Sequence, residues 1–238
     1  MDVHLVGGGW EDAHAPALYG DFVAAAGRRA AGTPRILLVV LGTDAESLEY
    51  HERYRHVLGL AGGHDLVVER VPEGAAFDAA ALDGVDGLFV GGGPTPGYHA
   101  ALAPSFSRIR ALVAAGMPYA GFSAGAAVAG SHAVIGGWRL DGVAVCPEES
   151  NEDLDEVTVM PGLGLVPGAV DVHAAQWGNV SRAVAVVAAG LAPRAVALDE
   201  DTALHADGRV VGAGRVWHVT PDPARAGGVS VHTVAAGQ

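Results

Sequence analysis

Lysine is absent from this chain of 238 residues, cysteine occurs once, and no apolar run approaches the roughly 18 residues that a bilayer crossing requires. A membrane span is therefore not expected. A single cysteine, Cys146, cannot form an internal disulfide, which agrees with a reducing compartment. Residues Met1 to Val6 enter an apolar, strand-like run at once, without the basic region and long apolar core of a secretory signal, so a cytoplasmic location is expected. Positive charge is also scarce. The 14 basic residues, all arginine, face 27 acids, and the net charge of −13 repels phosphate backbones and anionic membranes. Nucleic acid and membrane are thus excluded as partners, while the arginine bias itself is compositional and decides nothing. Histidine or cysteine pairs at metal-ligand spacing are missing, and Asp199 to Asp201 lacks the glycine and downstream glutamate of a calcium loop. No metal and no cofactor is expected.

What the chain has in abundance is small and branched apolar residues: half of it is hydrophobic, mostly Ala, Val and Leu. At this length a single domain, 1–238, buries roughly 70% of the surface its unfolded chain exposes. No repeat, linker or low-complexity tract divides it. Continuous apolar runs at Val3 to Val6, Ile36 to Leu41, Leu66 to Val71, Gly87 to Val90 and Pro118 to Gly121 predict strands covered on both faces. Helices are predicted between them, over Ala17 to Ala26, Ala45 to Leu58, Ala75 to Leu82 and Ala100 to Ala115. After about Ser131 the rhythm changes to short strands punctuated by glycine: Arg194 to Leu198, Thr202 to Ala206, Arg209 to Gly212, Val216 to Thr220 and Val229 to Val234. These suggest antiparallel hairpins, one of them turning at Asp207-Gly208. The fold class is α/β, a three-layer sandwich around a mostly parallel sheet with added hairpins in the C-terminal third.

The most informative segment is Gly121-Phe122-Ser123-Ala124-Gly125, entered from a short strand and left through an alanine-rich stretch read as a helix. A serine that projects its hydroxyl from a strand-to-helix reversal sits in strained backbone, and its neighbours two before and two after must be small. The helix start behind it would offer free N–H groups to an oxyanion. A second cluster, Gly91-Gly92-Gly93-Pro94-Thr95-Pro96-Gly97, follows a strand, and its bare backbone could complete that hole. Its spacing, and the lack of an acid about 20 residues on, argue against a dinucleotide loop. Gly7-Gly8-Gly9 follows the first strand in the same way, as a crevice lining or as a plain tight turn.

A serine nucleophile needs a base, and the base an orienting acid. Of 11 histidines, His173 is favoured, because Gly168 to Val172 is an apolar run ending before a helix expected near Gln176. His51 and His56 fall in an arginine-rich, solvated helix, and His205, His218 and His232 in hairpins near the surface. The acid comes from Asp199-Glu200-Asp201, with Glu200 barely above Asp199 on the residues alone.

Taken in order, Gly91 to Gly93, Gly121 to Ala126, Gly162-Leu163-Gly164-Leu165 leading to Asp171-Val172-His173, and Asp199 to Leu204 resemble the dipeptidase E and cyanophycinase family of serine peptidases. The resemblance spans most of the chain. It implies a class I glutamine-amidotransferase-like fold with serine in place of cysteine, a triad Ser123, His173, Glu200, and oxyanion donors at Ala124 and at Gly92 or Gly93. It implies a small peptide substrate, an aspartyl dipeptide with an α or β linkage; a homodimer is the assembly considered. In cyanophycinases a Gln-Arg-x-Arg stretch after the histidine helps bind the arginine-rich polymer; here the stretch reads Gln176-Trp177-Gly178-Asn179-Val180-Ser181-Arg182, with both of those arginines replaced and Arg182 remaining further on. Thr95, Asp171, Gln176 and Arg182 are the candidate substrate-binding residues, with Arg139 and His132 as further cations for an acidic side chain. Two rivals share the serine turn. An α/β-hydrolase-type esterase would use the order serine, acid, histidine, through Asp171 with His205 or His218, and a non-catalytic binding protein would keep only the pocket.

Overall fold

The computed structural model describes residues 1–42, 45–225 and 227–237. The N-terminal half builds a sheet from β1 (Val3–Val6), β2 (Arg35–Leu41), β3 (Asp65–Val71), β4 (Gly87–Val90) and β5 (Tyr119–Phe122). All of their pairings are parallel, in the order β1-β5-β4-β2-β3. β2 reads as an unbroken apolar run because both faces are covered. Ile36, Leu38 and Val40 pack under α1 (Ala15–Arg29) and α2 (Ala45–Ala61), while Leu37 and Val39 join the core on the opposite face. That opposite face is closed by α3 (Thr95–Leu102) and α4 (Phe106–Ala114), which pack with residues of a second sheet.

Two helix expectations differ from the structure for local reasons. The stretch 100–115 is broken at Ala103–Ser105, where Pro104 removes an N–H, so two shorter helices replace one. At 75–82 only a 3₁₀ turn, Ala79–Leu82, forms, because the Asp78 side chain caps the N–H of Ala80 and starts the turn there.

The remaining elements are α5 (Ala124–Ala127), β6 (Gly130–Gly136), the short pair β7 (Arg139–Leu140) and β8 (Val143–Ala144), β9 (Thr158–Pro161), β10 (Val166–Asp171), α6 (Val180–Ala188), β11 (Ala195–Leu198), β12 (Thr202–His205), β13 (Val210–Gly212), β14 (Arg215–Pro221) and β15 (Val229–Ala235). The hairpin β12–β13, turning at Asp207-Gly208, adds antiparallel to the free edge of β1. A second sheet runs β15-β14-β11-β10-β6-β9, parallel at β6-β10-β11 and antiparallel at its flanks, with α6 on its outer core. The α/β class stands. What exceeds the expectation is that the C-terminal third contributes a sheet of its own, with a parallel centre.

This topology decides where chemistry can sit. The carboxyl ends of β1, β4 and β5 lie side by side, and β10 and β11, parallel to each other, deliver their own carboxyl ends to the same crevice through the contact of His173 N–H with the Gly7 carbonyl at 3.0 Å.

Candidate active site

Ser123 follows β5 directly and has φ 49°, ψ −110°, a conformation rare for a residue with a side chain. Three bonds hold it there: its N–H donates to the Val6 carbonyl at 2.9 Å, and its carbonyl accepts from Ala126 and Ala127. The glycines on either side are sterically required. A Cβ on Gly121 would stand 2.4 Å from the Gly125 carbonyl oxygen, and one on Gly125 would stand 2.2 Å from that of Val90. Behind the serine, the expected helix is a single turn, α5, because the chain enters β6 at Gly130. A turn this short has little macrodipole, so its contribution is individual N–H groups.

From Ser123 a hydrogen-bonded chain runs outward. Its Oγ lies 2.8 Å from His173 Nε2, and His173 Nδ1 lies 2.7 Å from Glu200 Oε1. A carboxylate only accepts, so Nδ1 carries the proton and Nε2 accepts from the serine hydroxyl. His173 is 7% exposed and sits just past β10 with φ 51°. The expected helix near Gln176 starts only at Val180, after Gly178 with φ 72°, and the intervening turn wraps the imidazole. Burial lowers the His173 pKa below its ordinary value, opposed by the hydrogen bond and charge of Glu200. Such a ring is neutral, and free to accept a proton, at neutral pH.

The three acids of Asp199-Glu200-Asp201 have different partners. Asp199 is buried and fully engaged, accepting from the N–H groups of Ala175 and Arg215 and from Trp217 Nε1. Asp201, at φ 50°, accepts from the N–H of Glu11. Glu200 alone of the three reaches the imidazole, its own N–H held by Gln176 Oε1 at 3.0 Å. Gly7, Gly8 and Gly9 are more than a tight turn: a Cβ on Gly8 would stand 2.2 Å from His173 Cε1, and one on Gly9 would strike the Asp201 side chain.

A cavity of about 520 Å³ opens above Ser123. Trp10, Tyr50 and Trp177 give it aromatic walls, and Glu149, Glu152 and Asp153 give it acidic ones. Burial raises the Glu152 pKa, against the pull of two hydrogen bonds from Thr95. Among the described residues lining this cavity there is no arginine. Glu152 and Asp153 also have positive φ, so strained backbone gathers around the cavity.

Several sequence expectations need correction here. Gly92 donates its N–H to the Tyr54 hydroxyl at 2.6 Å and so cannot offer it to an oxyanion; its role is steric, since a Cβ there would stand 2.8 Å from Ser123 Cβ. The N–H groups of Gly93 and Ala124 have no protein acceptor among the described residues. Arg182 is 4% exposed and grips Asp171, 2% exposed, through two bonds of 2.9 and 2.7 Å. Its other contacts are the carbonyls of Gly137 and Ser150, so the pair is committed inside the protein instead of facing a substrate. Thr95 is likewise buried against Glu152, and Gln176 touches the Glu200 backbone. Arg139 stacks on Trp138 and His132 bonds Ser131, both away from the cavity lining. His205, expected near the surface, is buried beside His4, and Asp171 is bonded to neither His205 nor His218. Trp177, Tyr54 and Glu152 were not foreseen; a tryptophan four residues after the candidate base and just before Gly178 was the one available signal.

An open α/β sheet whose strand ends carry a strained serine bonded to a buried neutral histidine defines a class, the serine-type hydrolases. The model of peptidase family S51 matches residues 29–212, and the chain belongs to that family, a family of serine peptidases. It is 28% identical over 231 residues to the cyanophycinases of Trichormus variabilis and a Nostoc species, covering 92% of this chain and 73% of each of theirs. In fold it is similar to a peptidase from an acI-B1 Actinobacterium, with a TM-score of 0.65 at 18% identity over 100% of this chain and 95% of that one. The family read from the sequence is therefore borne out. No helix among the described residues is long and apolar enough to cross a membrane.

Proposed function

We propose that this chain hydrolyses small peptides through an acyl-enzyme, with Ser123 as nucleophile, His173 as base and then acid, and Glu200 as the group that fixes the imidazole tautomer. The observation that carries this reading is the unbroken chain from Ser123 Oγ through His173 to Glu200 at 2.8 and 2.7 Å, opening onto a cavity. Oγ attacks the amide carbonyl carbon as its proton passes to Nε2, and the carbonyl π pair moves onto oxygen. That oxygen takes hydrogen bonds from the N–H groups of Gly93 and Ala124, each typically worth on the order of 10²–10³ in rate. As the oxyanion collapses, the C–N bond breaks and the proton on Nε2 goes to the leaving amine. Water, deprotonated by the same nitrogen, then releases the acyl group and returns the proton to Oγ.

For the substrate, the resemblance points to dipeptides containing an α- or β-linked aspartyl residue. The acidic wall of Glu149, Glu152 and Asp153 adds a condition, that another part of the substrate carries an ammonium or guanidinium group. An aspartyl-arginine dipeptide meets both. Rates of hydrolysis over α- and β-Asp-x dipeptides, with x as Arg, Lys, Leu or Glu, test the reading. Arg and Lys are expected to exceed Leu, with Glu slowest; absence of turnover on every member, or turnover that survives Ser123→Ala, refutes it.

A further inference from the structure

His173 is held in its own plane by Ser123 and Glu200, but two bonds at opposite ring nitrogens leave an imidazole free to tip about the line joining them. Its faces must be held separately. Gly8 lies so close to the ring that even a methyl group there would stand 2.2 Å from Cε1. A face of the ring is covered by the indole of Trp177, stacked at 3.9 Å between ring centroids and 9° from parallel. The turn that makes this stack is pinned at its start, where the Trp177 N–H donates to the His173 carbonyl at 2.8 Å. Yet Trp177 is 44% exposed at the cavity mouth, an unusual place for the largest apolar side chain if burial were its purpose.

We propose that Trp177 is a positioning residue for the base: its indole clamps the imidazole plane and, through its π face, stabilises the imidazolium that forms as the serine proton is transferred. The inference rests on the triad reading given above. A neutral ring gains little from the π face, whereas a cation over an indole gains the electrostatic attraction of the ring quadrupole. The contact therefore strengthens along the reaction coordinate, which is the condition for accelerating a step. The other charged groups facing the imidazole are Glu200 at Nδ1, the mutually bonded Asp171 and Arg182 behind it, and Glu149, Glu152 and Asp153 across the cavity; a change at Trp177 alters none of them.

The test is the second-order rate of covalent labelling by a serine-directed fluorophosphonate, followed against pH for the intact wild-type chain and for Trp177→Phe and Trp177→Leu. Trp177→Phe is expected to stay close to wild type. Trp177→Leu, which keeps apolar bulk without a π face, is expected to slow labelling by about three- to thirty-fold, the range of a partly shielded cation–π contact, and to move the acid limb of the profile to lower pH. A limb that stays in place in Trp177→Leu, or that moves to higher pH as lost burial alone would make it, overturns the proposal, whether or not the rate falls. Labelling of Ser123→Ala at the wild-type rate would instead bring down the triad reading, and this proposal with it.

Discussion

Buried histidines stand at one end of the ladder between β1 and β12 and just beyond the other, and they are in opposite conditions. At one end, His4 pairs across the ladder with His205, their rings 4.5 Å apart; His4 is 4% exposed and neither of its ring nitrogens has a partner among the described residues. At the other end, beyond Gly7 and Glu200, His173 has a hydroxyl on one nitrogen, a carboxylate on the other and an indole on its face. Burial lowers the pKa at both ends, taking His4 to about 4. Desolvation thus favours the neutral form of both rings, but only His173 has partners that orient both of its nitrogens.

Exchanging the two ends breaks the comparison most sharply. Replacing His173 with Ala is expected to cut kcat by about 10⁴–10⁶, as for other members of such triads, while replacing His205 with Phe leaves kcat at neutral pH within a few-fold. Steady-state hydrolysis of a cleaved dipeptide measures both. A smaller loss, up to about 10⁴ in kcat, is expected for Glu200→Gln, which keeps the shape but no longer fixes the tautomer. The same change at Asp199 should lower the melting temperature more than it lowers kcat, because Asp199 is tied to backbone and to Trp217.

Arg182→Met tests the support beneath His173. It leaves Asp171 buried and unpaired two residues before the base, and is expected to cost about 3–5 kcal/mol in denaturant unfolding. A variant as stable as wild type would show that the pair is dispensable.

The smallest effect is a pH dependence of stability at the far end. The neutral form of His4 is favoured in the folded chain, with a pKa of about 4 against 6.5 unfolded. Between these values the unfolded chain binds a proton that the folded chain does not, so stability is complete above pH 6.5 and declines as pH falls toward 4, by up to about 3 kcal/mol. His4→Phe, set against Phe22 and His205, should flatten the melting curve over that window. The proposed mechanism follows the same sign at the other end: with His173 as base the ring must be neutral, so activity is expected to persist below pH 6.5 and to be lost as pH falls through the lowered His173 value.

The comparison also explains what could be read in advance. Ser123 was legible because a strained elbow leaves a local signature, small residues at fixed offsets after an apolar run. His173 was legible because it ends a strand. His205, also at a strand end, was misread as superficial because nothing local says that β12 pairs with β1 and turns this side chain inward. Glu200 could not be separated from Asp199 by residue type, since the separation comes from Arg215 and Trp217, 15 or more residues away. Arg182 looked like a substrate cation because its nearness to Asp171 depends on how α6 lies on β10. The parallel centre of the second sheet was hidden by short, glycine-rich strands whose partners are remote in sequence.

Mass-spectrometric localisation of a fluorophosphonate adduct addresses the central claim most directly, since trypsin, with no lysine to cut at, releases Ser123 in the single peptide 111–139. One adduct per chain is expected, on Ser123, and neither Ser123→Ala nor His173→Ala should acquire it at a comparable rate. An adduct on any other side chain, or one that forms equally fast without His173, would contradict the account.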